Sequence, residues 1–104
     1  MFATIRRYEG VDMTRASEIT RKVDDTLVPQ LRDLPGFAGY YLIEAGNGVM
    51  SSFGLFETRE QADESTMLVS KWIATENFSR ALPNPPKITS GEVVARSERL
   101  VAVA

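Results

Sequence analysis

Two β-rich runs joined by a short Gly/Asn linker lie at the centre of the sequence. Residues 37–45 (FAGYYLIEA) and 49–57 (VMSSFGLFE) flank Gly46-Asn47-Gly48. Glycine and asparagine adopt positive φ at low cost, so this linker is typical of a tight hairpin turn. The two runs are therefore predicted to be antiparallel neighbours in a sheet, and the rest of the chain has to fold around this hairpin.

An apolar stripe at helical spacing precedes the hairpin. Its members recur at three- and four-residue steps: Ala16, Ile19, Val23, Leu27, Leu31 and Leu34. Such a stripe is typical of a helix with one face on a core, and Asp12, just before it, is a good capping residue. Because Pro29 lies inside the pattern, we expect the helix to kink or restart there, and Pro35-Gly36 to end it.

A second helix is predicted directly after the hairpin. Thr58 is a suitable N-cap, with Glu60 and Gln61 in the first turn. The inner stripe of this helix comprises Ala62, Thr66, Val69, Trp72 and Ile73. Apolar residues within 78–82 predict one further helical turn before the proline-rich segment 83–86, which no helix can cross.

The two ends of the chain supply the first and the last strand. Residues 2–9 (FATIRRYE) are rich in β-forming residues, and a last strand is predicted around residues 92–96, followed by the apolar tail LVAVA. The resulting order is βαββαβ, and right-handed crossovers place both helices on one face of a four-stranded antiparallel sheet. We therefore expect a single ferredoxin-like α+β sandwich domain over residues 1–104.

Both faces of the predicted hairpin are apolar. In the first run, one set of alternating positions holds Phe37, Tyr41 and Ile43, and the other holds Ala38, Tyr40 and Leu42. In the second run, one set holds Phe53 and Leu55, and the other holds Met50 and Phe56. A sheet face in contact with water normally alternates apolar with polar residues. Helices cover only one face, and an uncovered apolar face favours association. We therefore predict a homodimer in which a second copy covers the open face, with the tail LVAVA as a candidate to cross to the partner's sheet edge.

Cysteine and histidine are absent from all 104 residues. Disulfides, thiolate nucleophiles, Cys/His zinc sites and Ser-His-Asp triads are therefore excluded, and neither a metal nor a cofactor is predicted. The net charge is −2 with charges scattered along the chain, unlike the basic patch of a nucleic-acid-binding protein. No apolar run is long enough for a membrane helix and no signal sequence is evident, so we expect a cytoplasmic protein without nucleic-acid or membrane partners.

Three features together resemble a known family. They are the βαββαβ order, the segment LPGF at 34–37 that leads into the second strand, and the strand SFGLFE at 52–57 that runs straight into a helix with Glu60, Ala62 and Ser65. On these features the chain resembles the dimeric α+β barrel superfamily, and within it the antibiotic-biosynthesis-monooxygenase-like domains of small bacterial proteins. The resemblance spans almost the whole chain.

The resemblance implies two sheets face to face in a homodimer, with a cavity in each protomer between sheet and helices. Some members of the family oxidise aromatic polyketides with no metal or flavin, others degrade haem, and many have no known activity. The oxidising members combine a tryptophan and an asparagine on the second helix with an arginine and tyrosines. Here Trp72 matches the tryptophan, whereas the preceding turns carry no asparagine, and the axial histidine of the haem-degrading members is missing.

Six residues are predicted to line the pocket: Trp72, Tyr40, Tyr41, Phe53, Ser52 and Arg7. Trp72 has an alternative role as a core side chain whose indole N–H finds one partner. Tyr40 and Tyr41 are consecutive in a strand, so one faces the helices and the other the open face, and the sequence does not decide which. The small residues Ser52 and Gly54 either leave space for a ligand or accommodate Trp72.

Charged residues complete the set of candidates. Arg6 and Arg7 are neighbours in a strand, so one of them points into the protein. A buried arginine requires an anionic partner; we expect an ion pair with Glu44, Glu57, Glu92 or Glu98, with a ligand anion as the alternative. The acidic residues at 57–64 are explained by the preference of carboxylates for a helix N-terminus rather than by a metal.

Three functions are compatible with the sequence. The first is a small-molecule-binding domain similar to cofactor-independent monooxygenases of aromatic or quinol-like substrates, which requires that side chains do not fill the cavity. The second is a non-catalytic homodimeric binding or regulatory module, consistent with the missing histidine, cysteine and asparagine. The third is an interaction role in which the open sheet face pairs with a different protein. No catalytic residue is assigned.

Overall fold

The computed structural model describes residues 1–98. The strands are β1 (Phe2–Tyr8), β2 (Phe37–Gly46), β3 (Val49–Phe56) and β4 (Lys87–Glu92), and the helices are α1 (Ala16–Lys22), α2 (Val28–Arg32) and α3 (Arg59–Thr75). A 3₁₀ turn at Met13–Arg15 precedes α1, and a π-helical turn at Val23–Leu27 joins α1 to α2. Residues 13–32 are called the first helical segment below. Among residues 1–98, no helix is both long and apolar enough to cross a membrane.

The four strands form one antiparallel sheet in the order β2-β3-β1-β4. The first helical segment and α3 lie on the same face of this sheet, and the core fills the space between them. Every second residue of β3 is buried, as expected for a strand with helices on one side only. The predicted ferredoxin-like α+β sandwich is confirmed.

The hairpin between β2 and β3 has the predicted turn. Asn47 and Gly48 form its tip with φ of 53° and 75°. Two consecutive residues with positive φ match the right-handed twist of the flanking strands, which is why asparagine followed by glycine is favoured there.

Pro29 interrupts the first helical segment as predicted. Proline has no N–H to donate, and its ring clashes with the carbonyl four residues earlier in a regular helix. The chain avoids the clash by widening one turn: the Val28 N–H donates to the Val23 carbonyl, five residues back. α2 then begins with Pro29 in its first turn, where a missing N–H costs nothing.

The predicted capping box of α3 is present. The Gln61 N–H donates to Thr58 Oγ1 (3.3 Å), and the Thr58 N–H donates to Gln61 Oε1 (3.0 Å). Beyond α3, Phe78 is fully buried, and the Leu82 N–H donates to the Phe78 carbonyl. This segment forms a single turn and not an additional helix.

The position predicted for the last strand is wrong. β4 covers Lys87–Glu92 and not residues 92–96. It pairs with β1 from Lys87 opposite Arg7 to Glu92 opposite Phe2. Because β1 begins at Phe2, the paired ladder ends at Glu92, and the Val93 N–H makes one further bond to the Met1 carbonyl (2.9 Å). The tail LVAVA lies outside the described residues.

The face of the sheet away from the helices is apolar. We call Ile5, Tyr41, Ile43, Phe53 and Leu55 the open sheet face; Tyr41 is 62% exposed and Ile43 is 52% exposed. Simple alternation groups Phe37 with Tyr41 and Ile43, and this prediction is wrong. The β2–β3 register shifts between Phe37 and Gly39, and this bulge turns Phe37 into the core, where its ring meets Phe56 edge-on at 5.9 Å.

Candidate functional site

A small interior cavity lies between the sheet and the helices. Its volume is about 30 Å³. Tyr8, Tyr40 and Ser52 line it from the sheet, Val23 from the first helical segment and Trp72 from α3. A space of this size holds roughly one water molecule, so the cavity as it stands is too small for an aromatic ring.

A side groove adjoins the cavity on the surface. It lies between the first helical segment and the edge strand β2, and its volume is about 280 Å³. Val23, Tyr40 and Leu42 line both the groove and the cavity. Three side chains therefore separate the interior from a space close to the lower end of ligand-pocket sizes, about 300 Å³.

Arg6 lies on the helix-facing side of β1 and is only 1% exposed. Its guanidinium contacts three hydroxyl groups. Nη2 donates to Ser65 Oγ (2.9 Å) and to Thr66 Oγ1 (3.0 Å), both on α3. Nη1 reaches Ser52 Oγ at 3.4 Å, the longest of the three contacts. Since Ser52 also lines the cavity, the guanidinium lies directly behind the cavity's sheet wall.

The predicted ion pair of the buried arginine is wrong. All 14 Asp and Glu residues of the chain fall within residues 1–98, and each ion pair found there involves another cation. Glu9, for example, pairs with Arg7 and Lys87. Arg6 Nε has no hydrogen-bond partner in the described part of the chain. Burial lowers the pKa of Arg6, because removal of water disfavours its charge.

Small residues in β3 make room for the long side chains beside them. Ser52 lies between Arg6 of β1 and Leu42 of β2, and Gly54 lies between Thr4 and Tyr40. A Cβ on Gly54 would approach the Phe56 ring to 3.3 Å. The centre of the sheet therefore has a depression on its helix-facing side, and this depression holds the guanidinium and forms the cavity floor.

Trp72 is 5% exposed and forms part of the cavity wall. Its indole Nε1 donates to Thr26 Oγ1 (2.8 Å), and its ring lies 5.4 Å from that of Phe78. Thr26 belongs to the π-helical turn. Trp72 thus has the single polar partner expected of a core tryptophan, and it also couples α3 to the irregular turn of the first helical segment.

Two tyrosines flank the cavity at the sheet. Burial raises the pKa of Tyr40 to about 12, and the nearby Arg6 charge only partly opposes this effect. Burial likewise raises the pKa of Tyr8. Both phenols therefore keep their protons at neutral pH and are available as hydrogen-bond donors.

The six predicted pocket residues divide between two faces of the sheet. Trp72, Tyr40 and Ser52 meet around the cavity. Tyr41 and Phe53 lie on the open sheet face with their rings 6.2 Å apart, where they line a groove beneath residues 93–98. Arg7 also points to that side and pairs with Glu9. The structure thus answers the question about the tyrosines: Tyr40 faces the helices.

Three residues around the cavity are not predicted as site residues from the sequence: Arg6, Tyr8 and Val23. Sequence reasoning assigns Arg7, and not Arg6, to the pocket, and it treats Tyr8 and Val23 only as strand and core residues. The alternation of β1 places Thr4, Arg6 and Tyr8 on the side opposite Ile5, but it does not indicate which side faces the helices. Within residues 1–98, no three potential metal ligands are close enough together to hold an ion.

Comparison with known proteins gives structural matches only. No protein-family model matches the chain, and no curated protein matches its sequence. One similar structure is NE2512, a protein of unknown function from Nitrosomonas europaea, with 17% identity, a TM-score of 0.74 and coverage of 96% of this chain and 95% of that one. Another is the Streptomyces coelicolor monooxygenase ActVA-Orf6 in complex with nanaomycin D, with 14% identity, a TM-score of 0.67 and coverage of 97% and 92%.

A third similar structure is a dimeric ferredoxin-like protein from an uncultured marine organism. It shares 13% identity with this chain at a TM-score of 0.63, and the match covers 94% of this chain and 97% of that one. At such identities the matches establish architecture and not activity. The chain therefore has the same ferredoxin-like fold as these structures.

Proposed function

We propose that this protein is a homodimer that binds a small aromatic molecule between its sheet and its helices. The observation that carries the proposal is the meeting of Trp72, Tyr40 and Ser52 around one interior cavity. Aromatic walls with a few polar groups are typical of small-molecule sites. The similar structure of a monooxygenase in complex with nanaomycin D supports the idea that this fold can hold a small organic ligand.

Binding requires the wall between the cavity and the side groove to move. Leu42 is a flexible side chain on an edge strand, and Val23 begins the π-helical turn. Single π-helical turns are often found at functional sites. A rotation of Leu42 with a small displacement of Val23 would join the two spaces, and the ligand would enter past the edge of β2.

The homodimer is supported by the open sheet face. Each of its apolar side chains contributes roughly 1.5–3 kcal/mol when it passes from full exposure to full burial. A second copy presents a matching apolar face, which is the basis of a symmetric interface. One similar structure is a dimeric ferredoxin-like protein, which supports a dimer here.

Ligand binding is tested by filling the cavity. Val69 lines it, and Val69→Ile adds one methylene group to a space that holds about one water molecule. We expect the ligand-free variant to fold with unchanged or higher stability, because the added group fills empty space. With 2-naphthol bound, the same group overpacks the cavity at a cost of about 1–3 kcal/mol, so the variant should bind 2-naphthol at least tenfold more weakly. Isothermal titration calorimetry measures both affinities.

The matched control is Val94→Ile, at a residue that is 92% exposed. It should bind 2-naphthol like the wild-type protein. Native mass spectrometry of the wild-type protein reports its stoichiometry and any molecule retained during purification. Absence of 2-naphthol binding to the wild-type protein, or equal binding to both variants, would contradict the interior site.

Oxidation of the bound molecule is a second candidate function. The monooxygenase fold match favours it, and a bound hydroquinone could itself supply electrons to O₂ while the protein orients it and excludes water. The nearly filled cavity favours binding without catalysis. Oxygen consumption with 1,4-naphthohydroquinone separates the two: a rate above the uncatalysed background that Val69→Ile reduces indicates catalysis, and a rate equal to background indicates a binding module.

A further inference from the structure

Arg6 is a buried cation whose partners in the described chain are neutral. Its three contacts are hydroxyl groups, and none of the chain's Asp or Glu side chains pairs with it. A charge removed from water is costly unless an opposite charge compensates it. A neutral residue of similar length would avoid this cost. We therefore infer that Arg6 has a role beyond packing.

The guanidinium lies directly behind Ser52, which separates it from the cavity. Nη2 is held by Ser65 and Thr66 of α3, whereas Nη1 has only the 3.4 Å contact with Ser52, and Nε has no partner among the described residues. Ser52 is part of the cavity lining. An anionic oxygen that enters from the cavity could therefore replace the weakest contact of Arg6 without disturbing its anchors on α3.

The surroundings favour an anion over a neutral ligand. Tyr8 and Tyr40 lie on the cavity side of the sheet, and both remain protonated at neutral pH because burial raises the pKa of each phenol. Protonated phenols donate hydrogen bonds to an anion and do not repel it. Trp72 provides an aromatic wall on the opposite side.

We propose that the ligand of this cavity is an aromatic acid, bound with its carboxylate or acidic phenolic oxygen against Arg6. The inference rests on the proposed function, to which it adds the chemical class of the ligand. Charge-assisted hydrogen bonds are substantially stronger than neutral ones. In a water-excluded cavity, an acid should bind roughly 10- to 100-fold more tightly than its uncharged isostere.

The first test compares 2-naphthoate with 2-naphthamide, two probes of nearly the same shape that differ in charge. Titration calorimetry of the wild-type protein at pH 7 should give at least tenfold tighter binding of the carboxylate. Equal affinities would overturn the acid preference and leave the proposed aromatic site standing. Binding of neither probe would contradict both the proposed function and this inference.

The second test assigns the preference to Arg6. Arg6→Met keeps an unbranched side chain as far as the position of Nε and removes the guanidinium with its charge, so the variant should bind both probes equally. Arg6→Lys keeps the charge and should retain part of the preference. A preference for 2-naphthoate that persists in Arg6→Met would overturn the assignment, because another cation would then bind the acid.

A stability measurement separates this role from a structural one. Urea unfolding of the ligand-free protein should show Arg6→Met to be as stable as the wild-type protein or more stable, since the variant no longer buries an uncompensated charge. Marked destabilisation of Arg6→Met, together with equal binding of the two probes by the wild-type protein, would identify Arg6 as a cross-link between β1 and α3 only.

Discussion

Tyr40 carries its phenol into a part of the molecule from which water is largely excluded. Burial raises its pKa to about 12 from an ordinary value of 10.0. The folded protein therefore holds this proton more tightly than the unfolded chain does. Between these two pH values the unfolded state loses the proton first, so the free energy of unfolding falls as the pH rises.

We expect Tyr40→Phe to weaken this pH dependence. For the wild-type protein, urea unfolding should show a loss of stability between pH 10 and pH 12 on the order of 2 kcal/mol from this residue. The variant should lose less, because phenylalanine has no proton to release. Arg6 and Tyr8 interact electrostatically with Tyr40, so the difference between the two proteins includes this coupling as well as the titration of Tyr40 itself. Identical pH profiles would show that Tyr40 is accessible to water when the protein is folded.

The residue scale also shows where sequence reasoning stops. Alternation in β1 requires that either Arg6 or Arg7 point inward. It cannot select between them, because that choice depends on the register with β3. Nor can it name the partners of Arg6, since Ser65 and Thr66 lie about 60 residues away in sequence. Periodicity places Trp72 on the inner face of its helix and requires one of Tyr40 and Tyr41 to face the helices, but it does not select Tyr40.

Gly48 is essential to the β2–β3 turn. Its φ of 75° lies in the left-handed region, and a Cβ there would lie 3.4 Å from the Val11 carbonyl oxygen. An L-residue in this conformation costs roughly 1–2 kcal/mol. We therefore expect Gly48→Ala to lower the free energy of unfolding by about this amount, as measured by urea denaturation.

Gly91 provides the matched control for this substitution. It lies within strand β4, and a methyl group at its Cβ position would have no other atom within 4 Å. Gly91→Ala should be neutral or slightly stabilising, because alanine loses less backbone entropy on folding. If both variants were equally stable, the turn would not depend on the left-handed conformation of Gly48.

Elements with local signals are predictable, and those set by a distant partner are not. Pro29, the Asn47-Gly48 turn and the Thr58 capping box act within a few residues of themselves, so the sequence indicates each of them correctly. The limits of β4 depend instead on where β1 begins. The bulge that turns Phe37 inward likewise arises from pairing between β2 and β3. The periodicity of apolar residues indicates neither where β4 ends nor where the bulge in β2 lies.

At the scale of the whole molecule, the proposed homodimer depends on the open sheet face. Phe53 lies at the centre of this face, next to Tyr41. A glutamate there would bury a charge in the proposed dimer interface, at a cost of several kcal/mol. We expect Phe53→Glu to raise the dimer dissociation constant by at least 100-fold, as measured by sedimentation velocity over a concentration series.

Met67→Glu serves as the control for this measurement. Met67 is 73% exposed and lies on α3, on the helical side of the molecule. This variant should remain as dimeric as the wild-type protein. Dissociation of Met67→Glu alone would place the interface on the helical layer, and dissociation of neither variant would show that the open sheet face is covered in another way.

The irregular edges of the sheet limit how these molecules can aggregate. Register shifts interrupt β2 near both of its ends, at Phe37/Gly39 and at Glu44/Gly46, and β4 exposes Lys87 and Glu92 on the other edge. Bulges and charges on edge strands hinder the addition of a foreign strand. Fibrillar growth by strand addition is therefore hindered along both described edges, so a protomer released from the proposed dimer should stay dispersed long enough to find another partner.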